Sequence, residues 1–216
     1  MRAIVTAGPT LEPIDPVRFL SNRSSGQQGY AIAGALAAEG FEVILVSGPT
    51  ALPDVPGVHM VRIETALGMM AAVEAALPAD VFVAVAAVAD WRPAKISSIK
   101  LKLDKSAMES LDLVENPDIL KTIAHLPRSE RPGLVVGFAA ETHDVARLAR
   151  EKRLRKGCDW IVANDVSGDV MGGAENAALL ITPDAEDHFA RAAKSEIAAQ
   201  LADRIAAAVK GACESS

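Results

Sequence analysis

Ser21-Asn22-Arg23-Ser24-Ser25-Gly26-Gln27-Gln28-Gly29 is a polar, glycine-containing stretch that separates the first strand signal of the chain from its first helix signal. The strand signal is the apolar run at residues 2–7, and the helix signal covers residues 30–39. In an α/β unit a short glycine turn usually joins two such elements. Here the connection is long and polar, and long loops inside compact domains are usually functional. We therefore expect this stretch to bind a ligand.

Apolar runs and helical patterns alternate along the chain on either side of this stretch. The sequence predicts strands at residues 3–7, 43–46, 58–63, 81–86, 134–139, 160–163 and 177–181, and helices at residues 30–39, 66–76, 144–156 and 194–209, with a further helix starting at Asn116-Pro117-Asp118. Continuous β-branched apolar runs are typical of parallel strands buried on both faces. Strand–helix–strand units of this size close as right-handed crossovers. The predicted fold class is α/β, with Asn116 as the N-cap of its helix.

Residues 91–114 interrupt this alternation and contain four lysines, Lys95, Lys100, Lys102 and Lys105. Residues 99–103 alternate between apolar and cationic side chains, which predicts a short strand. Residues 111–114 are expected to pair with it. The simplest organisation is one domain over residues 1–216 with a flap at about 91–114.

The composition restricts the classes of function. A formal net charge of -6 argues against nucleic acid as a partner, because phosphate backbones favour basic surfaces. Cys158 and Cys213 lack the spacing of a metal site or disulfide framework, so free thiols are expected. No apolar run reaches the ~18–20 residues of a membrane helix, and Met1-Arg2 leads directly into a strand, without a signal peptide. We expect a cytoplasmic protein without membrane partners; such a start also fits a domain cut from a longer chain.

A dinucleotide-binding site is disfavoured by the first strand–helix connection. The G-x-G-x-x-G fingerprint is absent, and only Gly26-x-x-Gly29 opens the helix. The second strand ends in Val46-Ser47-Gly48-Pro49, without the acidic residue or arginine that would contact the ribose of NAD or NADP. What remains is a helix N-terminus, which is a general anion site.

Chemistry on a nucleotide or phosphate is the second possibility that the residues raise. Asp90 follows the most apolar strand and could hold a ribose hydroxyl or a metal. Lys100 and Lys102 would share one strand face but are better explained as solvated lysines, and Asn22 is better explained as a turn residue. The chain has no HExxH, G-x-S-x-G or Walker motif, which argues against zinc proteases, serine hydrolases and P-loop enzymes.

Taken together, several motifs resemble one family. They are Thr6-Ala7-Gly8-Pro9-Thr10-x-Glu12-Pro13-Ile14-Asp15-Pro16-Val17-Arg18-Phe19, Ser21-Asn22-x-Ser24-Ser25-Gly26, Ala86-Ala87-Val88-Ala89-Asp90, Asn116-Pro117-Asp118-Ile119, Gly137-Phe138-Ala139-Ala140-Glu141-Thr142 and Ala163-Asn164-Asp165-Val166. In this order they resemble the phosphopantothenoylcysteine synthetase domain of coenzyme A biosynthesis, bacterial CTP-dependent type.

The resemblance implies a Rossmann-like, parallel-sheet, three-layer sandwich with a small flap or dimerisation extension. It implies a ligase that joins 4'-phosphopantothenate to L-cysteine through an acyl-cytidylate, using CTP and Mg²⁺ and releasing pyrophosphate and CMP. It also implies a homodimer, often fused behind a flavin-dependent decarboxylase, with no flavin in this domain. The choice of CTP over ATP rests on the resemblance alone, and no metal ligands are assigned.

The resemblance also assigns site residues. Asn22 and Lys100 match the catalytic positions. The matching nucleotide positions are Ala84, Val85, Ala86, Asp90, Lys100, Pro117, Asp118, Ile119, Leu120, Phe138, Lys152 and Lys156, and the matching phosphopantothenate positions are Arg18, Asn22, Ser24, Gly26, Ala86 and Ala87, with Arg18 reaching in from the neighbouring subunit.

The lysine motif of the family differs in one place. The family has Lys-x-Lys-Lys, whereas this chain has Lys100-Leu101-Lys102-Leu103, so the last lysine is absent and Lys105 is its nearest replacement. The rival hypothesis is a nucleotide-sensing module without turnover, against which the presence of Asn22 and Lys100 argues.

Overall fold

The structure, a computed structural model, describes residues 1–101, 111–141, 143–165 and 175–214. The strands in these ranges are β1 (Arg2–Ala7), β2 (Leu11–Pro13), β3 (Phe19–Ser21), β4 (Glu42–Ser47), β5 (Val58–Arg62), β6 (Val81–Ala84), β7 (Trp91–Pro93), β8 (Leu113–Glu115), β9 (Leu134–Glu141), β10 (Trp160–Asp165), β11 (Glu175–Ile181) and β12 (Glu186–Ala193). The helices are α1 (Gln27–Ala38), α2 (Ala66–Ala76), α3 (Ile119–Ala124), α4 (Val145–Lys156) and α5 (Lys194–Glu214).

The main sheet has the strand order β12-β11-β10-β9-β6-β1-β4-β5. From β5 to β10 all neighbouring strands are parallel. The order of these strands is that of the Rossmann fold, in which the chain winds outward in both directions from the first strand. The predicted α/β class and Rossmann-like parallel sheet are confirmed.

Two antiparallel strands extend the sheet at one edge, where β11 pairs with β10 and β12 with β11. The strand at β11 was predicted, but β12 was not. Half of its sequence, EDHFARAA, is polar or charged, and Phe189 is its one fully buried side chain. An edge strand of this kind lacks the continuous apolar run of the central strands, because solvent covers part of it.

The core lies in two layers on opposite faces of the sheet. One layer packs α1 and α5 against the sheet through Ile32, Leu36, Ile197, Leu201 and Ile205. The other packs α2, α3 and α4 through Met69, Val73, Ile119, Ile123 and Ala149. The predicted three-layer sandwich is confirmed. None of the helices in the described ranges is long and apolar enough to cross a membrane.

Two small hairpins stand outside the main sheet: β2 pairs with β3, and β7 pairs with β8. The predicted pairing of residues 99–103 with residues 111–114 is wrong, because β8 takes β7 as its partner. Residues 99–101 form no strand and lie against the loop before β3 instead, where the Leu101 N–H donates to Asp15 Oδ2 at 3.2 Å. Lys102, Leu103 and Lys105 lie outside the described residues. The assignment of residues 1–216 to one domain with a flap at 91–114 stays a prediction.

The helix predicted to start at Asn116 starts at Ile119, with Asp118 as its N-cap. The Asp118 carboxylate accepts the Lys121 N–H at 3.1 Å. Asn116 is not the cap because its amide makes a different contact and donates to the Ala89 carbonyl at 2.8 Å. The Asp118 carboxylate also carries a negative charge, which the helix N-terminus favours over the neutral amide of Asn116.

Helix α1 approaches β1 very closely at Gly29. A Cβ at this position would lie 2.5 Å from the Ala7 Cβ and 3.2 Å from the Thr6 carbonyl oxygen. Any side chain here would push the first turn of α1 away from the strand. Gly29 therefore sets the position of the polar stretch that precedes the helix.

We predict that Gly29→Ala lowers the free energy of unfolding by about 1–3 kcal/mol, the usual effect of overpacking a close contact. Gly211→Ala in α5 is the matched control, because its Cβ would meet nothing within 4 Å. Chemical denaturation of the three proteins checks the prediction. Equal stability of Gly29→Ala and the unmodified chain would contradict it.

Candidate active site

An open cleft with a volume of about 1240 Å³ lies at the carboxyl ends of the central parallel strands. It is bordered by the ends of β1, β6 and β9 and by the first turn of α1. The strand order reverses between β1 and β6, and open α/β sheets bind ligands in the crevice at this point. The fold therefore selects the same region that the polar stretch of the sequence indicates.

The chain after β6 is held against the end of β1 and the loop that follows it by two threonine side chains. Thr6 Oγ1 accepts the Ala86 N–H at 3.3 Å, and Thr10 Oγ1 accepts the Ala89 N–H at 3.0 Å. The Ala87 N–H donates to the Gly8 carbonyl at 2.9 Å. Residues 85–89 are thus held alongside the loop that follows β1, and we call this segment the backbone ribbon. Small side chains on this ribbon let a ligand approach the backbone closely.

Asn22 is fixed on this ribbon. Its Nδ2 donates to the Ala87 carbonyl at 3.3 Å and to the Val88 carbonyl at 3.1 Å. The hydroxyl of Ser21, the residue before it, donates to the Thr10 carbonyl at 2.8 Å. The amide of Asn22 is therefore held inside the cleft by contacts that are distant in sequence, which a simple turn residue would not need.

The first turn of α1 also faces the cleft, which is lined by residues 22–29. Gly26 is the N-cap, in a left-handed conformation with φ 77°, and no side chain caps the helix. The backbone N–H groups of an uncapped first turn are available to an anion, and the helix dipole favours negative charge there.

Two lysines of α4, Lys152 and Lys156, line the cleft across from this helix start. Lys156 forms an ion pair with Asp118, the N-cap of α3. Burial lowers the pKa of Lys152, and the positive charge of the neighbouring Lys156 lowers it further. A partly desolvated lysine beside a second cation is stabilised by an anionic ligand.

Most of the predicted site residues line this one cleft: Asn22, Ser24, Gly26, Ala84, Val85, Ala86, Ala87, Asp90, Pro117, Asp118, Ile119, Leu120, Phe138, Lys152 and Lys156. Asp90 is exposed, and its carbonyl accepts the Asn116 N–H at 2.8 Å. The structure thus brings together residues that are spread over the sequence, while their individual roles stay predictions.

Arg18 and Lys100 do not line the cleft. Arg18 binds Asp15 through two nitrogens, at 3.0 Å from Nε and 2.6 Å from an Nη atom, and also donates to the Leu101 carbonyl. Arg18 holds the pKa of the buried Asp15 carboxyl well below its usual range. Lys100 is exposed on the neighbouring segment. Both residues belong to the same surface region, next to the β2–β3 hairpin.

Nine polar or charged residues that line the cleft among the described residues were not predicted as site residues: Thr6, Arg23, Ser25, Gln27, Gln28, Glu115, Asn116, Asn164 and Lys194. Arg23 and Gln28 lie within the polar stretch, which alone could have suggested them. Asn164 directly follows the predicted strand at residues 160–163, inside one of the family motifs. Lys194 is the first residue of the predicted closing helix, a position that carries no specific signal.

The described residues contain no group of three or more His, Cys, Asp or Glu side chains that could hold a metal ion. The carboxylates that line the cleft in this part of the chain are Asp90, Glu115 and Asp118. Mg²⁺ commonly binds through one or two carboxylates together with substrate phosphates. This donor set fits a metal that arrives with a phosphate ligand.

Residues 1–209 match the model of the family described as the DNA/pantothenate metabolism flavoprotein C-terminal domain. The chain is also similar to the coenzyme A biosynthesis bifunctional protein CoaBC of Escherichia coli strain K12, with 48% identity over 183 residues, 83% of this chain and 45% of the relative. The protein of the same name from Mycolicibacterium smegmatis is 43% identical over 221 residues, 97% of this chain and 53% of the relative. The chain spans about half the length of these relatives.

Among solved structures, the chain is similar to the crystal structure of the C-terminal domain of the bifunctional protein CoaBC. The TM-score is 0.80 at 36% identity, and the match covers 97% of this chain and 96% of the other. A DNA/pantothenate metabolism flavoprotein from Streptococcus pneumoniae shares the fold, with a TM-score of 0.79 at 23% identity over 96% of this chain and 99% of the other.

The lowered pKa of Lys152 predicts a pH dependence of anion binding. An anion favours the protonated lysine, so above the lowered pKa binding must take up a proton and affinity falls as the pH rises. The fall in affinity begins below the ordinary lysine pKa of ~10.4 and reaches up to about tenfold per pH unit.

Calorimetric titration with CTP from about pH 8 to about pH 10 measures this fall in affinity. Lys152→Met should make the dependence of affinity on pH less steep, and the control Lys121→Met should leave it unchanged. If affinity depends on pH equally in Lys152→Met and in the unmodified chain, Lys152 is not the lysine that takes up the proton.

Proposed function

The chain belongs to the DNA/pantothenate metabolism flavoprotein C-terminal domain family, and on this basis we propose that it is a phosphopantothenate–cysteine ligase domain that acts in coenzyme A biosynthesis. The proposed reaction joins 4'-phosphopantothenate to L-cysteine with CTP through an acyl-cytidylate. CTP is proposed as the nucleotide from the motif resemblance. The relatives are named as bifunctional proteins twice as long, so a fused decarboxylase domain is part of the same proposal.

The observation that carries the proposal is the arrangement of the cleft. One side of the cleft has an uncapped helix start and the side across from it has two lysines, and both features suit phosphate groups. The floor is the backbone ribbon of residues 85–89, to which Asn22 is anchored. A ligase of this type needs both parts, because it first transfers a nucleotidyl group and then reacts at an acyl carbon.

In the first step the carboxylate oxygen of phosphopantothenate attacks the α-phosphorus of CTP, and pyrophosphate leaves with the bonding electrons. The protein needs to orient the reactants and neutralise the phosphate oxygens. Lys152 and Lys156 are the described lysines of α4 that line the cleft for this purpose. Lys156 would exchange part of its contact with Asp118 for phosphate oxygens.

In the second step the amine of cysteine attacks the acyl carbon, and CMP leaves from the tetrahedral intermediate. Its oxyanion needs an uncharged hydrogen-bond donor. The Nδ2 hydrogens of Asn22 are engaged by the Ala87 and Val88 carbonyls. Asn22 would therefore release one carbonyl when the oxyanion forms, while the other keeps the amide in place.

Mg²⁺ fits this cleft as a partner of the triphosphate, and Asp90 is an exposed carboxylate of the cleft that would hold it or a ribose hydroxyl. When bound, the metal supplies neutralisation of phosphate charge.

We further propose that the domain acts as a homodimer whose partner completes the cleft. Arg18 and Lys100 do not reach the cleft of their own chain. Of the ten large hydrophobic side chains that the described residues expose, seven lie in or beside the two small hairpins, namely Val17, Phe19, Trp91, Ile96, Ile99, Leu113 and Val114. Apolar surface concentrated in this way marks an interaction site. A partner bound there would lie next to Arg18 and Lys100.

The direct test is product formation. The protein is incubated with CTP, Mg²⁺, 4'-phosphopantothenate and cysteine, and pyrophosphate and CMP are quantified, with ATP in place of CTP as the comparison. Both products should form with CTP. The absence of pyrophosphate with every nucleotide would overturn the proposal.

Two variants separate the steps. Asn22→Asp should release pyrophosphate once per active site and then accumulate the acyl-cytidylate, because the second step loses its neutral donor. Lys100→Gln should release no pyrophosphate. Mass spectrometry of the quenched mixture detects the intermediate. Turnover of Asn22→Asp at the rate of the unmodified chain would show that the role of Asn22 is wrong.

A further inference from the structure

Lys194 lies where two helices begin. It is the first residue of α5, and Gln27 is the first residue of α1. Lys194 Nζ lies 3.4 Å from Gln27 Oε1, so the two helix starts are adjacent although the residues are 167 positions apart in sequence. Both Lys194 and Gln27 line the cleft. The positive ends of two helix dipoles therefore meet at one end of the cleft.

A cation is unfavourable at this position unless an anion accompanies it, because helix N-termini favour negative charge. Among the described residues Lys194 forms no ion pair with a carboxylate, and its partner Gln27 is neutral. Glu196 is in the same turn but is exposed. Partial burial lowers the pKa of Lys194. No described residue therefore neutralises the positive charge of Lys194 at the two helix starts through an ion pair.

Gln28 supplies a second, independent observation at the same end of the cleft. Both atoms of its side-chain amide are buried, and neither has a hydrogen-bond partner among the described residues. Buried amides are nearly always hydrogen-bonded. An acceptor oxygen of a ligand would satisfy Nε2 once the side-chain amide turns toward the cleft, because neither amide atom is exposed in this structure.

We propose that Lys194 is a substrate-binding residue that contacts a phosphate group at the start of α1 and α5. This inference rests on the proposed ligase function, which supplies two phosphate-bearing substrates, CTP and 4'-phosphopantothenate. Both present the same chemistry, an anionic group with several acceptor oxygens, to a lysine and to free backbone N–H groups.

Equilibrium binding tests the assignment. CTP and 4'-phosphopantothenate are titrated separately, by calorimetry, into the unmodified protein and into Lys194→Met, Lys194→Gln and Lys194→Arg. The matched control is Lys210→Met, which removes an exposed lysine from the same helix. Circular dichroism and thermal unfolding establish that each variant is folded.

Lys194→Met and Lys194→Gln should weaken the binding of one of the two substrates by at least about tenfold, and the affected substrate identifies the phosphate. Lys194→Arg should recover part of the affinity, and Lys210→Met should bind like the unmodified chain. If both neutral variants bind both substrates within about twofold of the unmodified chain, the inference is wrong while the ligase function stands. An unmodified protein that binds neither substrate and releases no pyrophosphate overturns the ligase function and this inference with it.

Discussion

The arrangement of the cleft depends on the close contact between the chain that leaves β1 and the chain that leaves β6. The two strands are parallel neighbours. Thr6, near the end of β1, and Thr10, in the loop after it, hold residues 85–89 in place through side-chain hydrogen bonds. Backbone groups in such a region would be unsatisfied without these partners, which would be costly in a partly buried site. The two threonines therefore fix the backbone at the position where the strand order reverses, and Asn22 is hydrogen-bonded to this fixed backbone.

Charge is distributed unevenly over this framework. The whole chain has a formal net charge of -6, yet lysines from α4 and α5 line the cleft together with the start of α1. An acidic protein can therefore bind phosphates locally without the basic surface that nucleic acids require. Burial lowers the pKa of both Lys152 and Lys194, so an anion bound beside either lysine would stabilise its charged form.

Much of the fold could be predicted from the sequence, because the central parallel strands are continuous apolar runs such as Val81–Ala84 and are buried on both faces. The edge strand Glu186–Ala193 could not be predicted, since an edge strand with polar residues gives no such apolar run.

Among the residues of the cleft, the polar stretch at 21–29 and Asp90 were predicted from the residues themselves, and Lys152 and Lys156 were predicted from the resemblance. Lys194 was missed because its meaning depends on Gln27, a contact that only the packing of α1 and α5 creates. The pairing of β7 with β8 was also missed, because alternation at residues 99–103 predicted the wrong partner.

In the proposed homodimer, each cleft is a ligase site completed by a second copy of the chain. Mixing two impaired variants tests this claim most directly: Asn22→Asp, which damages the cleft itself, and Arg18→Ala, which removes a side chain that lies outside the cleft of its own chain. After the subunits have been exchanged, a mixed dimer should contain one cleft with both changes and one with neither. We predict pyrophosphate and CMP formation well above the sum of the two separate variants, approaching about a quarter of the unmodified rate when exchange is random. Activity no greater than that sum, with mixed dimers present, would contradict the account.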